Sequence, residues 1–153
     1  RAAAETGRTV SVANDNCPGQ VVITGDETAL TRAMTLLTEA GARKVVRLPI
    51  TIAAHSPLMA SVADEFAAAV DAAPLATARI PVVANVTARP IVAPDEIRAE
   101  LKAQLTSPVR WTDSIRYLGA QGVDSYVEVG PGDVLLGLVK RIDRESRRVK
   151  FEL

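Results

Sequence analysis

The stretch DSYVEVGPGDVLLGLVKRI, residues 124–142, decides the fold class of this chain. Its first part, 124–130, is rich in β-branched and aromatic side chains and predicts a strand, whereas the apolar run over 134–142 predicts a short helix. The Gly-Pro-Gly sequence between them predicts a tight turn. A strand that leads directly into a helix is typical of an α/β fold.

The same alternation of strand and helix continues upstream of this stretch. The apolar run IPVVAN predicts a buried strand over 80–85, and a Pro-Asp-Glu start predicts a helix over 94–105. Apolar positions four residues apart predict another helix from Leu58, and a further helix is predicted over 111–121. We therefore expect an α/β layer with a parallel sheet. The basic tail DRESRRVK, 143–150, is interpreted as a solvated helix end.

The first third of the chain predicts a smaller unit. Its elements are the end of a helix over 1–7 that closes on a glycine, strands over 9–14 and 20–25, a helix from Asp26 to Gly41 and a strand over 43–50. This order resembles most of a split β-α-β layer that lacks its first strand. The chain therefore divides into a small unit, 1–52, and a larger one, 53–153.

The composition excludes several classes of protein. The chain has 153 residues, of which 48% are hydrophobic and 24% charged, as in a globular domain with one core. Eighteen basic and eighteen acidic side chains and only 3% aromatic residues argue against a nucleic acid partner. No membrane span or signal peptide is recognisable, so we expect a cytoplasmic protein without a membrane partner. One cysteine and one histidine cannot form a disulfide framework or a Cys/His zinc site, and no metal is expected.

His55, the single imidazole, is the candidate for chemistry. It lies between Ala54 and Ser56 at a predicted strand-to-helix junction, where α/β sheets form clefts, although a packed or exposed histidine is the alternative. No serine lies in a Gly-x-Ser-x-Gly frame, and the Gly-Pro-Gly turn lacks the spacing of a phosphate-binding loop. A thiol dyad of Cys17 with His55 remains open, although an inert thiol is favoured. A non-catalytic α/β module that binds a ligand also remains open.

Five short motifs follow one another along the chain. They are NDNCPGQVVITG (14–25), AAHSPLM (53–59), VVANVT (82–87), QLTSPVRW (104–111) and VEVGPGDVLLGLVKRI (127–142). Together they resemble the C-terminal half of the malonyl-CoA:acyl carrier protein transacylases, over nearly the whole chain. The last motif is more similar to the free-standing enzyme of fatty acid synthesis than to the acyltransferase domain of a polyketide synthase, which remains an alternative.

The resemblance implies a fold and a reaction. It implies that 1–52 belong to a ferredoxin-like small subdomain and 53–153 to the C-terminal part of a large subdomain similar to the α/β-hydrolases. The implied reaction is ping-pong transfer of malonyl from coenzyme A, through a seryl ester, to the phosphopantetheine thiol of acyl carrier protein. Malonyl-CoA is then a substrate, acyl carrier protein a partner, and no permanently bound cofactor is expected.

The resemblance also implies residue roles. His55 matches the general base that activates the serine, and Gln104 matches the residue whose backbone carbonyl orients that imidazole. Asn14, Asn16 and Gln20 match polar positions that line the crevice for the pantetheine arm. The serine, the oxyanion-hole glutamine and the arginine that binds the malonyl carboxylate belong to the N-terminal half in this family, and this sequence lacks them. We therefore expect a fragment that needs the missing half as a partner and is inactive alone.

Overall fold

The computed structural model describes residues 1–152 as a mixed α/β structure. The helices are α1 (Ala2–Thr6), α2 (Glu27–Glu39), α3 (Ala60–Ala72), α4 (Pro94–Gln104), α5 (Trp111–Ala120) and α6 (Val134–Ile142), and one 3-10 turn (Pro57–Met59) leads into α3. The strands are β1 (Val10–Cys17), β2 (Gln20–Gly25), β3 (Val82–Val83), β4 (Pro90–Ile91), β5 (Ser125–Val129) and β6 (Arg147–Phe151). Within residues 1–152, no helix is both long and apolar enough to cross a membrane.

The N-terminal part of the chain contains one β-hairpin and two helices. β1 and β2 pair antiparallel, and β1 extends three residues further than the sequence predicted, so that the turn is confined to Pro18 and Gly19. Gly7 ends α1 in the left-handed conformation, with φ 64°, as expected. The Asp26 carboxylate accepts a hydrogen bond from the backbone N–H of Thr28 and caps α2, which confirms the predicted helix start.

The predicted strand over 43–50 is wrong. This segment is irregular, and Val46, Leu48 and Ile50 are exposed. An apolar segment forms a strand only where a neighbouring strand supplies backbone partners, and none of the strands described in residues 1–152 pairs with it. Within this segment, Arg47 forms an ion pair with Glu27 of α2, which holds the pKa of Glu27 below its usual value.

The predicted buried strand over 80–85 is also wrong in extent and burial. Only β3 is extended, and it pairs antiparallel with β4 in a short hairpin. Ile80 and Val82 are 78% and 52% exposed, while Ala84 is buried just after β3. The apolar run predicts a buried strand, but within the described residues nothing covers the side chains of Ile80 and Val82.

The last three elements of the chain, β5, α6 and β6, form a strand-helix-strand arrangement. α6 begins and ends where the sequence predicted it, and β5 lies within the predicted strand over 124–130. The predicted strands over 80–85 and 124–130 do not share a sheet, and β5 pairs in parallel with β6, which the sequence did not predict. The interpretation of 143–150 as a solvated helix end is wrong, because β6 occupies the second half of that tail. Tyr126 and Glu128 are partly buried, whereas Val127, Val129 and Phe151 on the opposite face are exposed.

The buried core is small and consists mostly of alanine. Large apolar side chains that are well buried are few, with Val70, Ile115 and Val139 at 6%, 2% and 2% exposure. Several large apolar side chains are instead exposed on the β5–β6 pair and on the segment over 43–52. Clusters of exposed apolar side chains are typical of contact surfaces.

Candidate active site

His55 occupies a left-handed backbone conformation at the beginning of the turn into α3. Its φ is 61°, a region that non-glycine residues rarely adopt and that recurs at functional sites because the surroundings must hold it there. The backbone N–H of His55 donates to the carbonyl of Leu105 over 3.1 Å, which ties this strained residue to the C-terminus of α4. The side chain is half-buried and so keeps access to solvent.

The imidazole of His55 is oriented by one backbone oxygen. Its Nδ1 lies 2.7 Å from the carbonyl oxygen of Gln104, the last residue of α4. A carbonyl oxygen only accepts hydrogen bonds, so Nδ1 carries a proton, and in the neutral imidazole Nε2 then presents its lone pair. This is the tautomer that a general base requires, and it is reached without a carboxylate.

Ser56 closes the turn that follows His55. Its hydroxyl is fully buried, donates to the carbonyl of Ala53 over 2.7 Å and accepts from the backbone N–H of Leu58 over 3.3 Å. The hydroxyl therefore bridges the residues on both sides of His55. The sequence marked Ser56 only as a neighbour of the histidine, and the turn chemistry of serine before Pro57 was the signal that could have found this role.

α4 is anchored at its N-terminus as well as at its histidine-binding end. The carboxylate of Glu96 accepts hydrogen bonds from the backbone N–H groups of Ala93 and Val92, which hold the pKa of Glu96 below its usual value. A carboxylate in the first turn also interacts favourably with the positive end of the helix dipole. These contacts fix the N-terminal end of the helix that supplies the Gln104 carbonyl.

The three predicted crevice residues lie on the β1–β2 hairpin. Asn14 is half-buried where β1 meets the segment after α4, in a parallel bridge to Val109. Asn16 is half-buried on the same strand, and Gln20 is exposed, with its Oε1 accepting from Nη1 of Arg141 over 2.8 Å. In the part of the chain that the structure describes, none of the three shares a hydrogen bond with His55.

Two other sites considered from the sequence are occupied internally. Cys17 is fully buried, and its thiol lies 3.5 Å from Oε1 of Gln20, so a substrate cannot reach it as a thiol dyad would require. At the Gly-Pro-Gly turn, the N-terminal N–H groups of α6 at Leu135 and Leu136 donate to the carboxylate of Glu128 over 3.2 and 2.9 Å. An anion site at this helix start is therefore already filled by the protein. Within residues 1–152, no cluster of three or more His, Cys, Asp or Glu side chains is arranged to hold a metal ion.

Comparison with known proteins places this geometry in a family. The sequence profile described as "Acyl transferase domain" matches residues 2–150. The chain belongs to this family. Its fold therefore agrees with the resemblance in the five motifs, at the level of a mixed α/β acyltransferase structure.

Relatives of known name share nearly the whole chain. The Malonyl CoA-acyl carrier protein transacylase of Escherichia coli (strain K12) is 43% identical over 139 residues, which is 91% of this chain and 45% of that protein. A crystal structure of an acyl carrier protein S-malonyltransferase from Vibrio cholerae is 42% identical with a TM-score of 0.93, and covers 97% of this chain and 49% of the other. A second solved structure, PlMCAT:AntF, contains a type II PKS acyl-carrier protein in complex with its malonyl-transacylase. It is 37% identical with a TM-score of 0.92 and covers 100% of this chain and 50% of the other. The chain thus spans about half the length of these relatives.

Proposed function

We propose that this chain supplies the general base of a malonyl-CoA:acyl carrier protein transacylase. The observation that supports the proposal most directly is the contact between Nδ1 of His55 and the Gln104 carbonyl, made at a strained backbone position. Family membership and the names of relatives more than 40% identical give the reaction class. The fold is then the C-terminal part of a hydrolase-like large subdomain with most of a ferredoxin-like small one.

The proposed reaction consists of two balanced half-reactions. In the first, Nε2 of His55 takes the proton of a serine hydroxyl as that oxygen bonds to the thioester carbonyl carbon of malonyl-CoA. The carbon-sulfur bond breaks, and the imidazolium returns the proton to the coenzyme A thiolate. In the second, His55 takes the proton of the pantetheine thiol, whose sulfur forms the new thioester while the serine oxygen leaves and is reprotonated. Throughout, the Gln104 carbonyl keeps the Nδ1 proton in place.

The serine is a proposal about residues outside this sequence. None of the nine glycines here builds a nucleophile elbow around a serine, and the chain spans about half of its relatives. The apolar face of the β5–β6 pair and the exposed segment over 43–52 are suited to packing against that other half, because covering them would bury surface that now faces water.

The binding roles follow the same proposal. Asn14, Asn16 and Gln20 would line the crevice for the pantetheine arm, since amide side chains can both donate to and accept from its amide groups. Acyl carrier protein is the proposed partner, supported by the structure of a malonyl-transacylase with its carrier protein. That complex also favours a second candidate of the same chemistry, a transacylase that serves a polyketide carrier protein.

Variants of the single histidine test the proposed base. The protein that contains these residues is incubated with malonyl-CoA, and the rate of covalent malonyl adduct formation is followed by intact-mass spectrometry. We expect His55→Ala to slow acylation by about a hundredfold or more, because general base catalysis contributes that much. His55→Asn is the sharper variant, since its side-chain amide can still donate to Gln104 but cannot accept a proton from serine.

Three outcomes are informative. Slow acylation in both variants, with unchanged thermal unfolding, supports a base. Wild-type rates in His55→Asn would mean that the histidine is merely structural, and the role given to it would be wrong. As a control, Cys17→Ser should acylate at the wild-type rate, and an adduct lost in that variant would instead indicate a thioester on Cys17.

A further inference from the structure

We propose that Asn85 is a positioning residue for His55 and that it acts through the side chain of Gln104. The amide Nδ2 of Asn85 donates to Oε1 of Gln104 over 3.2 Å, and the backbone carbonyl of Gln104 is the acceptor for Nδ1 of the imidazole. One residue, Gln104, thus links the loop after β3 to the base. The catalytic consequence rests on the proposed function of His55, whereas the structural link does not.

The oxygen atoms that bind His55 belong to the weakest part of a helix. Gln104 is the last residue of α4 and Leu105 is its C-terminal cap, and both carbonyls contact His55, one at the ring and one at the backbone N–H. The last carbonyls of a helix have no N–H partner within it, and helix ends fray. The direction of these two oxygens therefore depends on contacts that hold the last turn from outside.

The loop after β3 supplies those contacts on one face of α4. Besides the bond from Asn85 to Gln104, the backbone N–H of Val86 donates to Oε1 of Glu100 over 3.1 Å. Glu100 and Gln104 are four residues apart and so lie one turn apart on the same face. Because the Asn85 bond is made to the residue that owns the His55-binding carbonyl, we expect it to matter more for the imidazole than the Val86 bond.

Asn85 itself is held in place by the hairpin. Ala84 and Ala88 on either side of it are buried, and the backbone N–H groups of Ala84 and Ala88 donate to the carbonyls of Arg89 and Ala84, each over 2.9 Å. The carbonyl of Asn85 also accepts from the backbone N–H of Arg110 over 2.9 Å. The backbone of Asn85 is thus held in place, so its side-chain amide can restrain the last turn of α4 through the bond to Gln104.

Kinetics of the active protein test the link with three variants. Asn85→Ala removes the donor, Gln104→Met removes the side-chain acceptor but keeps the backbone carbonyl, and the double variant removes both. We expect each single variant to lower kcat about tenfold with KM changed less than about twofold, the scale on which a displaced base loses rate. Since both act on one contact, the double variant should be no slower than the slower single one.

Conservative and neighbouring variants serve as controls. Asn85→Asp should recover most of the rate, because the Gln104 amide can rotate and donate to the carboxylate. Glu100→Ala removes only the Val86 bond, and we expect a smaller loss of kcat than in Asn85→Ala. An unchanged kcat in Asn85→Ala, additive losses in the double variant, or equal losses in Glu100→Ala and Asn85→Ala would each overturn the inference.

The histidine tautomer gives a readout that needs no activity. With ¹⁵N-labelled histidine, well above the ordinary imidazole pKa, the His55 signal, assigned by its loss in His55→Asn, should report the Nδ1–H tautomer in the wild type. Asn85→Ala should shift it toward a mixture with Nε2–H, and Asn85→Asp should restore it. If Asn85→Ala shifts the tautomer but the wild-type protein transfers no acyl group, the positioning role is supported and the proposed function is rejected. If Asn85→Ala leaves the tautomer unchanged, the positioning role is rejected.

Discussion

Replacing Ser56 by alanine tests whether the turn after His55 is held by a buried hydroxyl. The hydroxyl has 0% exposure, donates to Ala53 over 2.7 Å and accepts from Leu58 over 3.3 Å. Ser56→Ala removes both bonds and leaves a carbonyl and an N–H group without their side-chain partner. It adds no bulk, so the effect reports the hydrogen bonds and not a steric clash.

The size of the effect follows from the two bonds and their burial. At about 1 kcal/mol for each net hydrogen bond, the two bonds sum to about 2 kcal/mol of unfolding free energy, and the longer bond to Leu58 contributes the smaller share. The turn also holds His55 at φ 61°, a conformation that a non-glycine residue keeps only while its neighbours fix it. Losing the two hydrogen bonds therefore also weakens the contacts that maintain this conformation.

Ser114 provides a matched control in the same chain. It is also buried, and its hydroxyl donates to the Arg110 carbonyl over 3.0 Å, but that carbonyl already accepts the Ser114 backbone N–H at the start of α5. Ser114→Ala therefore leaves no backbone group unpaired and should cost well under about 1 kcal/mol. Urea unfolding followed by circular dichroism measures both variants. Equal costs for the two, or a larger cost for Ser114→Ala, would refute the reasoning.

Two further predictions concern a helix cap and an acidic side chain. Glu128→Ala should lower the free energy of unfolding by about 1 kcal/mol, because it removes the acceptor for the backbone N–H groups of Leu135 and Leu136. Glu128→Gln should lower it less, because the amide oxygen still accepts a hydrogen bond. Urea titrations that rank the two variants in the opposite order would contradict this. The hydrogen bond and charge of Arg32, and then those of Arg1, lower the pKa of Glu5 from 4.5 to about 2. A lowered pKa means that the ionised form stabilises the fold at neutral pH, so the difference in stability between wild type and Glu5→Gln should be constant above about pH 5 and vanish as the pH falls toward 2; a pH-independent difference would exclude the ion pairs as its cause.

The elements that the sequence predicted correctly carry their own boundary signals. α2 has the Asp26 cap, α4 begins with proline and two acids, and α6 is an apolar run between a glycine turn and a basic end. Helix signals of this kind are local, since a helix satisfies its backbone hydrogen bonds within one segment. The strands that failed are different, because 43–50 and 80–85 are apolar enough for strands but depend on partners elsewhere.

The tail shows the opposite error for the same physical reason. Its basic residues suggested a solvated helix end, yet β6 forms there because β5 offers a parallel edge and α6 supplies the crossover that brings the chain back to it. Arg147 and Lys150 remain exposed although they lie in a strand, so their charge was no argument against one. Polar side chains indicate that a segment faces water. An edge strand can face water and still form backbone hydrogen bonds with its neighbouring strand.

In the candidate site, too, the residue with a local sequence signal was predictable, whereas the residues that act through contacts between distant segments were not. His55 stood out because it is the single imidazole at an element junction, and Gln104 came only from the resemblance, since no spacing pattern predicts that a backbone oxygen 49 residues away orients a ring. Asn85 lies in the motif over 82–87, but the motif assigned it no role, because its amide acts on another side chain and not on the histidine. A base that is oriented by a helix end needs that end to be held, and the residue that holds it can lie on any element the fold brings near.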